Sequence, residues 1–133
     1  MVGLLIVTHC GLGRELLNAA ELIVGRLEAV DTVQIIQASE SEKILKEIKE
    51  KITALDRGRG VLILTDMFGG TPSNLSLSFL SRDSLEVLTG VNLPMILAIA
   101  QYRSVFTLSD LAEKALEAGK TSISVASKLL ESK

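Results

Sequence analysis

The sequence predicts an α/β fold: a three-layer open sheet of four parallel strands flanked on both faces by helices. Two patterns and one size argument point there. Short apolar runs alternate with longer amphipathic stretches along the whole chain, as in successive βα units. The apolar runs, Val61–Leu64 for example, are continuous rather than alternating, which marks strands covered on both sides. At 133 residues, 47% of them apolar, the chain has length for one domain with a real core, taken as residues 1–133.

Each element has a local reason. Val2–Val7 reads as a buried strand, followed by a turn at Cys10-Gly-Leu-Gly13. From Glu15 to Leu27 the apolar residues Leu16, Leu17, Ala20, Ile23, Val24 and Leu27 recur at helical spacing. Val33–Gln37 is the second strand. Ser41 opens a helix whose stripe is Ile44, Leu45, Ile48, Ile52 and Leu55, its opposite face rich in Lys and Glu and solvated.

Gly58-Arg-Gly60 breaks the chain before the third strand, Val61–Thr65. A Gly-Gly-Thr-Pro turn then leads into a helix through Leu75 to Leu80. Thr71 suits the N-cap of that helix and Pro72 its first helical position, where a missing N–H costs nothing. Leu85–Thr89 is the fourth strand, and Pro94 to Gln101 is a helix apolar nearly all round. Leu108–Ala118 is amphipathic and is expected to close at Gly119. Thr121–Ser127 alternates Ser with Ile123 and Val125, the pattern of a fifth, half-buried strand, and the end from Lys128 to Lys133 is polar.

Composition excludes several function classes. Net charge is −2 with no basic block, which argues against a surface that tracks nucleic-acid phosphates. Aromatic residues, at 3%, are too sparse for base stacking. Cys10 is the only cysteine, so no internal disulfide forms and a reducing cytoplasm fits. The apolar N-terminus lacks the basic region and cleavage site of a signal peptide, and is far shorter than the roughly 20 residues that span a bilayer.

In open α/β sheets, ligands bind beyond the carboxyl ends of the strands. Attention therefore falls on Thr8-His9 after the first strand, Asp66 after the third, and Gly90-Val-Asn92 after the fourth. A lone histidine is more often structural than catalytic, but His9 stands between a buried strand and a glycine turn, where such folds expose reactive groups. With the first and third strands adjacent, Asp66 lies beside it. A carboxylate bonded to one ring nitrogen fixes the tautomer and frees the lone pair of the other, which makes imidazole a nucleophile. Gly69 and Gly70 allow close backbone approach, and the helix starting near Thr71 offers free N–H groups to a phosphate. No metal is expected, because one histidine and one cysteine side by side make no tetrahedral site.

Five segments together carry a family signature: Ile6-Val-Thr-His9, Leu16-Leu-Asn-Ala-Ala-Glu-Leu22, Gly60-Val-Leu-Ile-Leu-Thr-Asp66, Gly69-Gly-Thr-Pro-Ser-Asn74 and Gly90-Val-Asn-Leu-Pro94. Over essentially its whole length the chain resembles the EIIA domain of the mannose-type sugar phosphotransferase system (PTS). The resemblance implies a phosphohistidine carrier: His9 takes phosphate on Nε2 from HPr and passes it to a IIB component, with Asp66 on the other ring nitrogen. Gly69, Gly70 and Thr71 would form the phosphate cradle, and no cofactor is needed.

The resemblance also implies a parallel sheet of order 2-1-3-4 with a C-terminal antiparallel strand, matched by Thr121–Ser127, exchanged across a homodimer. The IIB acceptor is expected on a separate chain, since no second domain follows Lys133. The membrane components IIC and IID, where sugar specificity resides, would be met only indirectly, and the site of action would be cytoplasmic. One departure stands out: the family commonly has glycine after the active histidine, where this chain has Cys10.

Three other readings compete. A dinucleotide site is suggested by Gly11-Leu-Gly13, but the third glycine of that fingerprint is replaced by Leu16, and the second strand ends in Gln37 rather than an acid. A two-component receiver would take phosphate on Asp66, but it needs an acidic pair after the first strand to hold magnesium, and Thr8-His9 stands there. A non-catalytic or purely regulatory EIIA-like binding module would keep the fold without the chemistry. The retention of His9, Asp66 and Gly69 to Thr71 together opposes it.

Overall fold

The computed structural model describes residues 1–67, 69–80 and 84–131. Its elements follow in the order β1 (Gly3–His9), α1 (Leu12–Val24), β2 (Val30–Ile35), α2 (Ser41–Leu55), β3 (Val61–Thr65), α3 (Thr71–Leu77), β4 (Leu85–Thr89), α4 (Leu93–Tyr102), α5 (Leu108–Thr121) and α6 (Ala126–Glu131). A single 3-10 turn, Ala38–Glu40, leads into α2. The four strands are parallel and lie in the order β2-β1-β3-β4, as expected.

Strand alternation sorts the core into two layers. Leu4, Ile6, Leu62 and Leu64 face α1, α4 and α5, packing with Leu17, Ala20, Ile96, Ile99, Leu111 and Ala115. Leu5, Val7, Val61 and Ile63 face the other way, against Ile44, Ile48 and Ile52 of α2 and Leu75 and Phe79 beyond it. Both sets of strand residues are at most 1% exposed, which is why β1 and β3 read as unbroken apolar runs.

The register sets the site. His9 is the last residue of β1 and pairs with Ile35, while Val7 pairs with Thr65, so Asp66 emerges from β3 one step beyond the sheet, next to His9. β1 is central, which puts the crevice between helices on either face at its carboxyl end.

Besides β2, which runs Val30–Ile35 rather than Val33–Gln37, and α3, which ends at Leu77 rather than Leu80, four local expectations shift. The first helix begins at Leu12 rather than Glu15 and ends at Val24, because Gly25 takes φ +90° and turns the chain before Leu27. Thr71 is the first helical residue rather than the cap; Gly70 holds the cap position, and Pro72 sits in the first turn, where it still lacks no intrahelical bond. Gly119 lies inside α5 instead of ending it. A Cβ there would lie 2.8 Å from the Met95 Cε, so this glycine serves helix packing, and its carbonyl accepts a bond from Asn92 Nδ2 at 3.1 Å.

The fourth shift is the C-terminal strand. Thr121 is the last residue of α5, residues 122–125 have no regular structure, and Ala126–Glu131 is helical. A strand needs a partner edge, and within one chain this segment pairs with none among the described residues. Ile123 and Val125 stay 77% and 60% exposed. No helix of the described residues is long and apolar enough to cross a membrane.

Candidate functional site

Thr8, His9 and Cys10 make the turn out of β1, and each has its own task. Thr8 is fully buried; its hydroxyl accepts the Gly13 N–H at 2.8 Å and donates to the Cys10 carbonyl at 3.4 Å. It thereby satisfies one of the free N–H groups in the first turn of α1, a capping role supplied from the preceding strand. A Cβ on Gly13 would fall 2.9 Å from Ile6 Cγ2 and 3.2 Å from Thr8 Oγ1, so only glycine lets α1 start this close to β1.

Cys10 has φ +50°, in the left-handed region that favours glycine, and its N–H is anchored to the Ile35 carbonyl at 3.0 Å. A glycine at this position would hold the same turn without strain. The thiol is exposed.

His9 and Asp66 form a doubly bonded pair. Asp66 Oδ2 lies 2.8 Å from His9 Nδ1 and also accepts the His9 backbone N–H at 3.0 Å. One carboxylate oxygen thus fixes both the main chain and the ring. With Asp66 ionised, Nδ1 carries the proton and the Nε2 lone pair is left free. The histidine side chain is 47% exposed and the aspartate 11%, so the ring presents its other edge to solvent while its partner is withdrawn.

Asp66 is held below its ordinary value of 3.8. Burial is the largest single effect and pushes it up; the hydrogen bond from the His9 ring, the one from the His9 backbone and the charge of the ring together outweigh it.

Gly70 closes the site from the α3 side. A Cβ built on it would fall 2.9 Å from His9 Cε1 and 3.4 Å from Nε2, so the backbone here runs directly against the open edge of the ring. Gly69 has φ +92°, a conformation that favours glycine, and the turn it makes brings Gly70 in. The first bond of α3 is from the Asn74 N–H to the Gly70 carbonyl at 2.9 Å, so the Thr71 and Ser73 N–H groups have no intrahelical partner. The structure thus brings His9, Asp66 and Gly70 together, with Gly69 shaping the turn and Thr71 opening the helix.

The loop after β4 serves structure instead. Asn92 Oδ1 accepts the Met95 N–H at 3.1 Å and its amide reaches Gly119, so it caps α4 and ties it to α5. Two residues escaped the sequence reading. Thr65 and Ser73 are completely buried and their hydroxyls have no hydrogen-bond partner, as is also true of Asp66 Oδ1. Buried hydroxyls leave no periodic signal, so only the packing could reveal them.

Comparison with known proteins gives the chain a family. The family model described as PTS system fructose IIA component (EIIA-man) matches residues 3–116. The chain is 28% identical over 124 residues to the PTS system mannose-specific EIIAB component of Escherichia coli K12, covering 92% of this chain and 38% of that protein. It thus spans well under half the length of that relative. It is 26% identical to the PTS system fructose-specific EIIA component of Bacillus subtilis, covering 98% and 90% of the two chains.

Among solved structures, a phosphotransferase system component EIIA from Streptococcus agalactiae superposes with a TM-score of 0.87 at 27% identity, over 96% and 99% of the two chains. A PTS IIA protein associated with the fucose utilization operon of Streptococcus pneumoniae gives 0.82 at 27% identity, over 98% and 99%. On its family match, and with a histidine and aspartate paired where the sheet opens, the chain belongs to the mannose-type EIIA family of the sugar phosphotransferase system.

Proposed function

We propose that this chain is a phosphohistidine carrier that takes phosphate from HPr on His9 and delivers it to a IIB component on a separate chain. The observation that supports it best is the pairing of Asp66 Oδ2 with His9 Nδ1, with Gly70 against the opposite edge of the ring. The Nε2 lone pair attacks the phosphorus of the donor's phosphohistidine; the donor's P–N bond breaks and its imidazole leaves with the electron pair. The Nδ1 proton remains between ring and carboxylate. The positive charge that develops on the His9 ring is met by Asp66, which is withdrawn from solvent and ionised.

The arrangement also makes the phosphoryl group transferable. At about 5 Å, and an effective dielectric near 20, each of its negative charges is repelled by Asp66 by roughly 3 kcal/mol. A helix terminus returns only about 0.3–2 kcal/mol. Direct backbone bonds from Gly70 and Thr71, in the turn shaped by Gly69, do most of the holding, and the group stays poised to leave.

The working form is a homodimer in the cytoplasm. Lys51 Nζ bonds the outward carbonyl of Thr32 at 2.7 Å and so occupies the outer edge of β2. β4 is then the edge for an added strand, and the unpaired 122–125 segment of a second copy supplies it.

Intact mass decides the carrier reading. After incubation with phosphoenolpyruvate, Enzyme I and HPr, the wild type gains one acid-labile phosphate and His9→Ala gains none. No gain by the wild type, with a donor shown to be active on a known EIIA, would favour the regulatory binding module.

A further inference from the structure

We propose that Thr65 and Ser73 are positioning residues for the His9–Asp66 pair, their hydroxyls holding the second Asp66 carboxylate oxygen through one shared, buried water. Its consequence for phosphoryl transfer rests on the carrier reading above; its geometry does not.

Among the described residues, three buried side-chain polar atoms have no hydrogen-bond partner: Thr65 Oγ1, Asp66 Oδ1 and Ser73 Oγ. All belong to the segment that leaves β3 and enters α3. Strand alternation puts Thr65 on the same face as Val61 and Ile63, the face that packs against Leu75 and Phe79. Ser73 is in the first turn of α3, which packs on β1 and β3, and it is 0% exposed, so its side chain is enclosed at that same interface. His9 follows Val7 on this face by the same alternation.

Buried polar atoms are nearly always satisfied, and an orphaned carboxylate oxygen is among the costliest exceptions. Three of them in one segment, two able to donate and one able only to accept, are complementary. None of the three bonds another directly, and a water between such groups is the usual way to satisfy them. Such a water accepts from both hydroxyls and donates to Oδ1, the three bonds typical of a buried water.

Asp66 Oδ2 already accepts from the His9 ring and backbone, so fixing Oδ1 fixes the plane of the carboxylate. The lone pair aimed at Nδ1, and through the ring the direction of Nε2, are then set by groups that never touch the phosphate.

The test uses Thr65→Val, Ser73→Ala, their combination, and Thr65→Ser as the conservative control, all in the full chain. The Asp66 carboxyl is titrated by carbon-13 NMR, beside thermal unfolding and the rate of His9 labelling. The expected result is an Asp66 titration moved upward in the Val and Ala variants, with no gain in melting temperature. Labelling slows about tenfold in the double variant, the loss of one hydrogen bond to a charged group, and Thr65→Ser behaves as the wild type.

If the hydroxyls are merely orphaned, replacing them by apolar groups raises the melting temperature and leaves the Asp66 titration unchanged, and the proposal is overturned. Should a Val or Ala variant not fold, Thr65→Ser and the remaining single variant carry the same comparison. Absence of labelling in the wild type would sink the carrier reading alone, because the carboxyl titration still decides the network.

Discussion

At the scale of single residues, the site depends on how closely a backbone approaches one imidazole edge. Gly70 has φ −86° and ψ 171°, a conformation open to any residue, so its glycine is required by space and not by backbone angle. Gly70→Ala is therefore expected to fold normally while its methyl displaces the His9 ring. A misplacement of 1 Å costs about 100-fold and the ring has to give by several tenths, so labelling should slow about tenfold. Wild-type rates of labelling in that variant would remove Gly70 from the phosphate cradle.

Asp66 carries a pH signature at the same scale. Its folded value lies below the ordinary 3.8, so in acid the unfolded chain binds a proton that the folded chain refuses. The stability it contributes is complete above the ordinary value and is lost as pH falls through the lowered one. Urea unfolding of Asp66→Asn and wild type should thus show a stability gap that is constant near neutrality and closes in acid. A gap that widened on acidification would contradict the pairing with His9.

At the scale of elements, Arg103 shows how the far end of the sheet is fastened. This residue, the C-cap of α4, is 3% exposed, and its guanidinium donates to the Val2, Glu28 and Ala29 carbonyls at 2.6 to 3.0 Å. It joins α4 to the start of β1 and to the turn before β2, where Ala29 takes φ +50°. Arg103→Met leaves the Val2 and Glu28 carbonyls without a donor, while Ala29 keeps the Leu4 N–H, so at about 1–3 kcal/mol each a loss of at least about 2 kcal/mol in urea unfolding is expected. Because the site lies at the opposite end of β1, the Asp66 titration should not move in that variant. A loss below 1 kcal/mol would mean that water replaces the guanidinium.

At the scale of the molecule, the C-terminal segment of the single chain carries exposed apolar side chains. Leu129 and Leu130 of α6, like Ile123 and Val125 before it, are more than half exposed. Exchange of this segment between two copies would bury those side chains and pair the edge of β4. Sedimentation should then show a dimer for the full chain and a monomer once residues 122–133 are removed. A monomeric full chain at tens of micromolar would overturn the exchange.

The sequence by itself determined the layers and which two residues meet where the sheet opens. A continuous apolar run identified β3 to the residue, Leu85–Thr89 matched β4, helical periodicity located α2, and His9 and Asp66 at strand ends announced the pair. These signals are local, because burial on both faces and 3.6-residue periodicity are written in consecutive residues. What only the tertiary structure decided is whatever depends on a neighbour distant in sequence. Gly119 reads as a helix stop but is there to let Met95 approach, and Gly13 answers to Ile6 and Thr8.

Cys10 shows its strain only through its φ, and Thr65 and Ser73 became candidates only when strand alternation and helix packing enclosed their hydroxyls at one interface. The 121–127 alternation is a true strand pattern, but a strand exists only where another edge offers it hydrogen bonds. Within one chain no described edge does, and the segment passes instead into the helix of Ala126–Glu131.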